Sequence, residues 1–190
     1  MGVTLNCNRG LAALSPLLLW AGCAQLPVET GPADFLIEGK VGVVEGELEG
    51  EKRSYSARFT WRQTADRYDI LLWGPLGQGG TRLRGNAGHV EISGRDGDPT
   101  LAGDPHLVMR QRLGWSLPLG VLPWWLSGSP APEGLVTAAE HDAEGRLTAF
   151  SQLGWRVGYD RFDASGALSR PLRITAERSG YRVRVAIISR

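Results

Sequence analysis

The 190-residue chain has two cysteines and three histidines, and its 21 basic residues are nearly cancelled by 20 acidic ones. Each shortage excludes a class of function. A near-neutral balance gives no general attraction to a polyanion, so no nucleic-acid partner is expected. His89, His106 and His141 fall in a strand pattern, at a helix start and in a turn, without a ligand at helical spacing, and no cysteine pair is placed to complete a zinc site. No metal is expected. There is no Gly-x-Ser-x-Gly elbow, and Gly77-Gln78-Gly79-Gly80 lacks the Lys-Ser/Thr that completes a phosphate-binding loop. Asp96 and Asp98 flank Gly97 in what reads as a hairpin turn. No set of residues converges on catalysis, so the chain is read as a non-enzyme without a cofactor. Long apolar runs are missing too. The stretch 11–20 spans about ten residues, too few to cross a bilayer as a helix.

That short stretch has another reading. Arg9 supplies a positive start, residues 11–20 an apolar segment, and Ala21-Gly22-Cys23 small residues before a cysteine. The pattern is that of a lipoprotein signal peptide over 1–22, with Cys23 acylated and 23–34 a lipidated tether. Trp20 stands where such sites usually carry Leu, with Leu19 one step earlier; an ordinary signal peptide or an uncut anchor is the alternative. Cleavage there removes Arg9 and Cys7, leaving 20 basic and 20 acidic residues and Cys23 as the remaining thiol. With one cysteine no internal disulfide forms.

The chain also holds 26 glycines and many short alternating segments. Tyr55, Ala57, Phe59 and Trp61 share one face of an extended strand, with Ser56, Arg58, Thr60 and Arg62 on the other. After a turn at Ala65-Asp66, Tyr68, Ile70 and Leu72 alternate with Asp69, Leu71 and Trp73, so both faces of this strand are largely apolar and its second face is expected to need cover. Further strands are expected at 35–44, 81–86, 89–93, 134–140, 147–152, 155–162, 172–176 and 181–188, with a charged turn over 45–52. Asp104 and Pro105 open a helix, and a second covers about 120–126, entered near Pro123. The fold expected is mainly β: one domain over 35–190, an open antiparallel half-barrel of about ten or eleven strands. Short helices cover a hydrophobic cavity.

The candidate cavity residues are Phe59, Trp61, Ile70 and Leu72 on the sheet and Trp124 and Trp125 on the cover. Trp61, Trp115 and Trp155 also read as plain core bulk. Adjacent helical residues point about 100° apart, so Trp124 and Trp125 do not both face one core. Leu76 sits among glycines and a proline, Gly74-Pro75-Leu76-Gly77, as an apolar loop tip. Beside a lipid anchor such a tip can probe a membrane, although single exposed leucines are common.

In order, these segments resemble the LolB family of outer-membrane lipoproteins. The resemblance rests on the lipobox-like start, Gly39-Lys40-Val41-Gly42-Val43, and Ser56-Ala57-Arg58-Phe59-Thr60-Trp61-Arg62-Gln63. It continues through 67–72, Gly74-Pro75-Leu76-Gly77, Trp125-Leu126, Gly154-Trp155-Arg156-Val157-Gly158-Tyr159 and Arg170-Pro171-Leu172, then 181–187. It implies a monomer that accepts acylated lipoproteins from a soluble periplasmic carrier (LolA-like) and inserts them into the outer membrane. Leu76 would be the membrane-insertion residue. Ala24 after Cys23, rather than Asp, agrees with outer-membrane sorting of lipoproteins. Two departures stand out: only about eleven residues separate Cys23 from the first strand, where the family often has a helix, and the last strand lacks a tryptophan often found there. The other readings are a lipid- or glycolipid-binding envelope lipoprotein without insertase activity, and a structural lipoprotein with a filled core.

Overall fold

The computed structural model describes residues 2, 34–48, 51–74, 79–94, 98–163 and 169–190. The expected signal peptide, Cys23, most of the tether and Leu76 lie outside the described residues.

Six strands come first: β1 (Phe35–Leu48), β2 (Glu51–Thr64), β3 (Arg67–Trp73), β4 (Thr81–Gly85), β5 (Val90–Ser93) and β6 (Leu101–Gly103). Two helices follow, α1 (Pro105–Leu113) and α2 (Leu122–Ser127). The chain then returns through β7 (Val136–His141), β8 (Leu147–Gln152), β9 (Trp155–Phe162), β10 (Pro171–Arg178) and β11 (Tyr181–Ser189). All eleven strands lie in one sheet of order β6-β5-β4-β3-β2-β1-β11-β10-β9-β8-β7. Each neighbour is the next strand in sequence except at the centre, where β1 pairs antiparallel with β11. Two meanders therefore join along their first and last strands, and the helical excursion links the two free edges. The half-barrel stays open.

The period of two sets which face is dry. In β2 Phe59, Trp61 and Gln63 are buried while Arg58 and Arg62 are exposed, and in β11 Val183, Val185 and Ile187 are buried between exposed Arg182, Arg184 and Ile188. β3 departs from expectation. Tyr68, Ile70 and Leu72 are buried, but Leu71 on the second face is 40% exposed. Both helices pack on the other side of the sheet, so the expected second cover is not there, and Asp69 on this face pairs with Arg82 and Arg84 of β4 instead.

The expected turn over 45–52 is also corrected. The β1–β2 ladder continues to Leu48 opposite Glu51, with a register shift after Glu45. Gly46 permits this: its N–H donates to the Gly180 carbonyl, and a Cβ there would lie 3.1 Å from Gly180 Cα. A side chain would push the β10–β11 turn away. β6 escaped the sequence reading because three residues carry no usable periodicity.

Local chemistry fixes the helices. Asp104 Oδ1 accepts the Leu107 N–H at 3.0 Å, Pro105 occupies the first turn, and Gly114 closes α1 at φ 79°. Arg110 pairs with Glu45 of β1, and Arg112 with Asp98. Such exposed pairs contribute at most about 1 kcal/mol each, so they orient α1 more than they hold it. Pro123 lies in the first turn of α2, which Gly128 ends at φ 91°. Arg190 donates to the Leu126 carbonyl at 3.0 Å and the Pro171 carbonyl at 2.7 Å, tying the end of α2 to β10.

Candidate functional site

The apolar face of the sheet and its cover enclose a hollow. The sheet contributes Val41 from β1, Phe59 and Trp61 from β2, Ile70 and Leu72 from β3, Leu83 from β4 and Val185 from β11. The cover contributes Met109 of α1, Leu122 and Leu126 of α2, and Trp115, Leu117 and Leu119 from the link 114–121. All thirteen lining residues are apolar. The hollow measures only about 30 Å³, close to one water's share of liquid volume.

The sequence candidates divide. Phe59, Trp61, Ile70 and Leu72 line the hollow together. Trp124 and Trp125 do not. Trp125 is wholly buried, its ring 6.3 Å from Phe150 and 6.2 Å from Trp155, over the β8–β9 half of the sheet. Its indole N–H donates to Gln152 Oε1 of β8 at 3.0 Å. Trp124, on the next position of the helix, is half-buried and packs on the core. The tryptophan that does line the hollow is Trp115, whose burial alone could not tell wall from filler.

Two anchors were not visible in the sequence. Gln152 is 1% exposed, and besides Trp125 it accepts from the Ala131 N–H and donates to the Ala131 and Glu133 carbonyls. A glutamine in phase with Phe150 on an expected strand was the available signal. Tyr181 is the second. Its hydroxyl accepts from the Ser116 N–H at 3.1 Å and donates to the Ser116 carbonyl at 2.9 Å. Burial raises the Tyr181 pKa above the ordinary 10.0. Ser116 Oγ also lies 2.7 Å from Nδ1 of the exposed His106.

A second, wider cavity of about 190 Å³ opens beside the first, between the middle of β1 at Val41 and Val43, β2, the C-terminus of α1 and the base of the β3–β4 loop at Gly74 and Gly79. Its lining mixes Val43 and Leu113 with Tyr55, Ser56 and Thr81. Among the described residues, no cluster of three or more His, Cys, Asp or Glu side chains is placed to hold a metal.

An open antiparallel sheet closed by two short helices over a wholly apolar hollow is the build of a protein that handles apolar chains. A family model described as outer membrane lipoprotein LolB matches residues 33–189. Proteins named outer-membrane lipoprotein LolB are similar to the chain: 33% identical over 161 residues in Bordetella petrii, covering 83% of the chain and 81% of that protein; 38% over 138 residues in Chromohalobacter salexigens, covering 73% and 61%; and 33% over 158 residues in Pseudomonas fluorescens, covering 83% and 74%. The chain belongs to the LolB family of outer-membrane lipoproteins. Among solved structures, a LolA superfamily protein of Nitrosomonas europaea aligns with a TM-score of 0.48 at 10% identity, covering 81% of this chain and 84% of that one.

Proposed function

We propose that the chain receives acylated lipoproteins from a soluble LolA-like carrier in the periplasm and inserts them into the outer membrane. The observation that carries this reading is the hollow lined by thirteen apolar side chains, in a chain of this family. Each acyl methylene moved from water into such a site gains roughly 0.8 kcal/mol, so releasing a whole chain into water is prohibitively slow. Passing a chain from one apolar site to another exchanges like for like, and the small difference sets direction without nucleotide hydrolysis. Cys23 is the lipid anchor, Leu76 the residue that enters the bilayer, and the sheet residues Phe59, Trp61, Ile70 and Leu72 the wall against which the acyl chains lie. Because the hollow holds only about 30 Å³, side chains around it must move to admit a chain.

The test is reconstitution. Vesicles bearing the lipidated chain are mixed with a carrier loaded with a radiolabelled lipoprotein, and the label resisting alkaline extraction is followed. Incorporation only where the chain is present supports the reading; equal incorporation into bare vesicles overturns it. A chain that binds free lipid but takes nothing from the carrier would be a lipid-binding lipoprotein instead.

A further inference from the structure

The inner hollow and the outer cavity share three lining residues, Val41, Leu72 and Trp115. These form the wall between about 30 Å³ of apolar space and about 190 Å³ of half-polar space. The main chains of Val41 and Leu72 are fixed: Val41 pairs with Ala57 on one side and Val185 on the other, and Leu72 with Phe59 and Thr81, and both side chains are small beside an indole. Trp115 belongs to no strand or helix.

Its backbone is nevertheless held on both sides. Gly114 sits at φ 79° with its N–H on the Arg110 carbonyl, and Ser116 is gripped at both backbone polar groups by the Tyr181 hydroxyl. The tilted Tyr55 ring, 6.5 Å away, is its aromatic neighbour. With the main chain pinned, rotation of the side chain is the least disruptive movement open to it. The outer cavity gives it room: an engineered cavity of about 150 Å³ already accepts benzene. The remaining cover residue with a defined anchor, Leu126, is held through its carbonyl by Arg190, and its helix through Trp125 by Gln152.

We infer that Trp115 is a movable partition between the two cavities, and that an acyl chain reaches the inner hollow from the outer cavity by displacing it. The inference rests on the lipid-handling reading above and adds a route to it. With the indole turned outward the two spaces join, apolar at the Phe59–Ile70 end and half-polar at the Ser56–Thr81 end. That gradient matches an ester-linked acyl chain, tail inward and ester outward. The route ends at Gly74 and Gly79.

The test uses the full chain carrying Cys23→Ser and cis-parinaric acid, a polyene fatty acid that fluoresces when removed from water, mixed in a stopped-flow instrument. Trp115→Ala should raise the entry and exit rates roughly tenfold, with a smaller change in equilibrium affinity. Tyr181→Phe frees the Ser116 backbone while keeping the ring against Trp155, 5.8 Å away, and should raise both rates by a smaller factor. Wild-type rates in both variants would overturn the partition while leaving lipid binding in place. If Trp115→Ala loses its near-UV circular dichroism, Tyr181→Phe decides alone. If the unsubstituted chain takes up no probe, the lipid-handling reading falls and the partition with it.

Discussion

The Trp125 indole N–H and the Gln152 side-chain carbonyl meet at 3.0 Å in the fully buried half of the molecule, joining the helical cover to strand β8. The same amide holds the chain leaving α2, through both backbone groups of Ala131 and the Glu133 carbonyl. A second pair looks similar but does something else. Trp61 donates to Gln63 at 3.0 Å, and Gln63 donates to the Ala65 carbonyl at 2.7 Å, so that amide stays within one hairpin. The Trp125 part of the cover is thus tied to the sheet through a side-chain amide, whereas the link over the hollow is tied to it through the Tyr181 hydroxyl on the Ser116 backbone.

Gln152→Ala should therefore be among the most destabilising single changes in the chain. It strands the Trp125 N–H and the Ala131 N–H and carbonyl in a dry interior, and each unsatisfied buried group costs about 1–3 kcal/mol. Allowing for relaxation, a loss of about 3 kcal/mol is expected, which for a protein this size lowers Tm by about 6–12 °C. Thermal denaturation followed by circular dichroism measures it. A shift under 2 °C would mean the network contributes little.

Tyr159→Phe should do the reverse. The Tyr159 hydroxyl is buried and has no hydrogen-bond partner among the described residues, so its removal relieves an unpaid desolvation penalty. A gain of about 1 kcal/mol is expected at pH 7. The effect grows with alkali. Burial pushes the Tyr159 pKa well above its ordinary 10.0 in the folded state. For a group whose folded pKa is raised, the stabilisation is complete below the unfolded value and is lost as pH rises past it. The parent should lose stability above about pH 10, and Tyr159→Phe should lose less of it. Urea titrations at pH 8 and pH 11 compare the two; parallel losses would place the sensitivity elsewhere, with Tyr68, whose pKa burial also raises, next to be tested.

Most of the sheet could be read from its period of two, because residues such as Phe59 and Trp61 face a dry side and Arg58 and Arg62 a wet one. The start of α1 was equally legible, since Asp104 and Pro105 act locally, while α2, expected over about 120–126, runs Leu122–Ser127. What periodicity cannot convey is which apolar residues enclose space and which fill it. Trp115 and Trp125 are both almost fully buried, yet one borders the hollow and the other is bonded to Gln152 across 27 residues of sequence. Leu71 shows the same gap: an apolar residue on β3 implied a cover that the helices, drawn to the other face, do not provide.

Phe59→Ala should separate stability from capacity. Phe59 is 5% exposed and lines the hollow, so its truncation enlarges a space of about 30 Å³. Stability should fall by about 3–5 kcal/mol, the usual range for a buried phenylalanine. If the wall receives acyl chains, uptake of a fatty-acid probe should rise at the same time, and a saturating probe should restore part of the lost Tm by mass action. Lost stability without added binding would make Phe59 ordinary core.

Leu76→Glu addresses the other end of the proposed route. Leu76 follows Gly74-Pro75, immediately beyond the last residue of β3, and nothing in that glycine- and proline-rich sequence offers a leucine much side-chain mass to bury against. A carboxylate there should leave the hollow and its anchors untouched, so lipoprotein should still pass from carrier to the variant at the parental rate. Insertion should fail, because burying a charge in hydrocarbon opposes the contact that leucine favours. The variant should then accumulate as a stable complex with its acylated cargo, detectable by native mass spectrometry, while membrane incorporation drops at least about tenfold, the equivalent of 1.4 kcal/mol. Parental incorporation would remove Leu76 from the mechanism, and loss of carrier-to-chain transfer would move its role to docking.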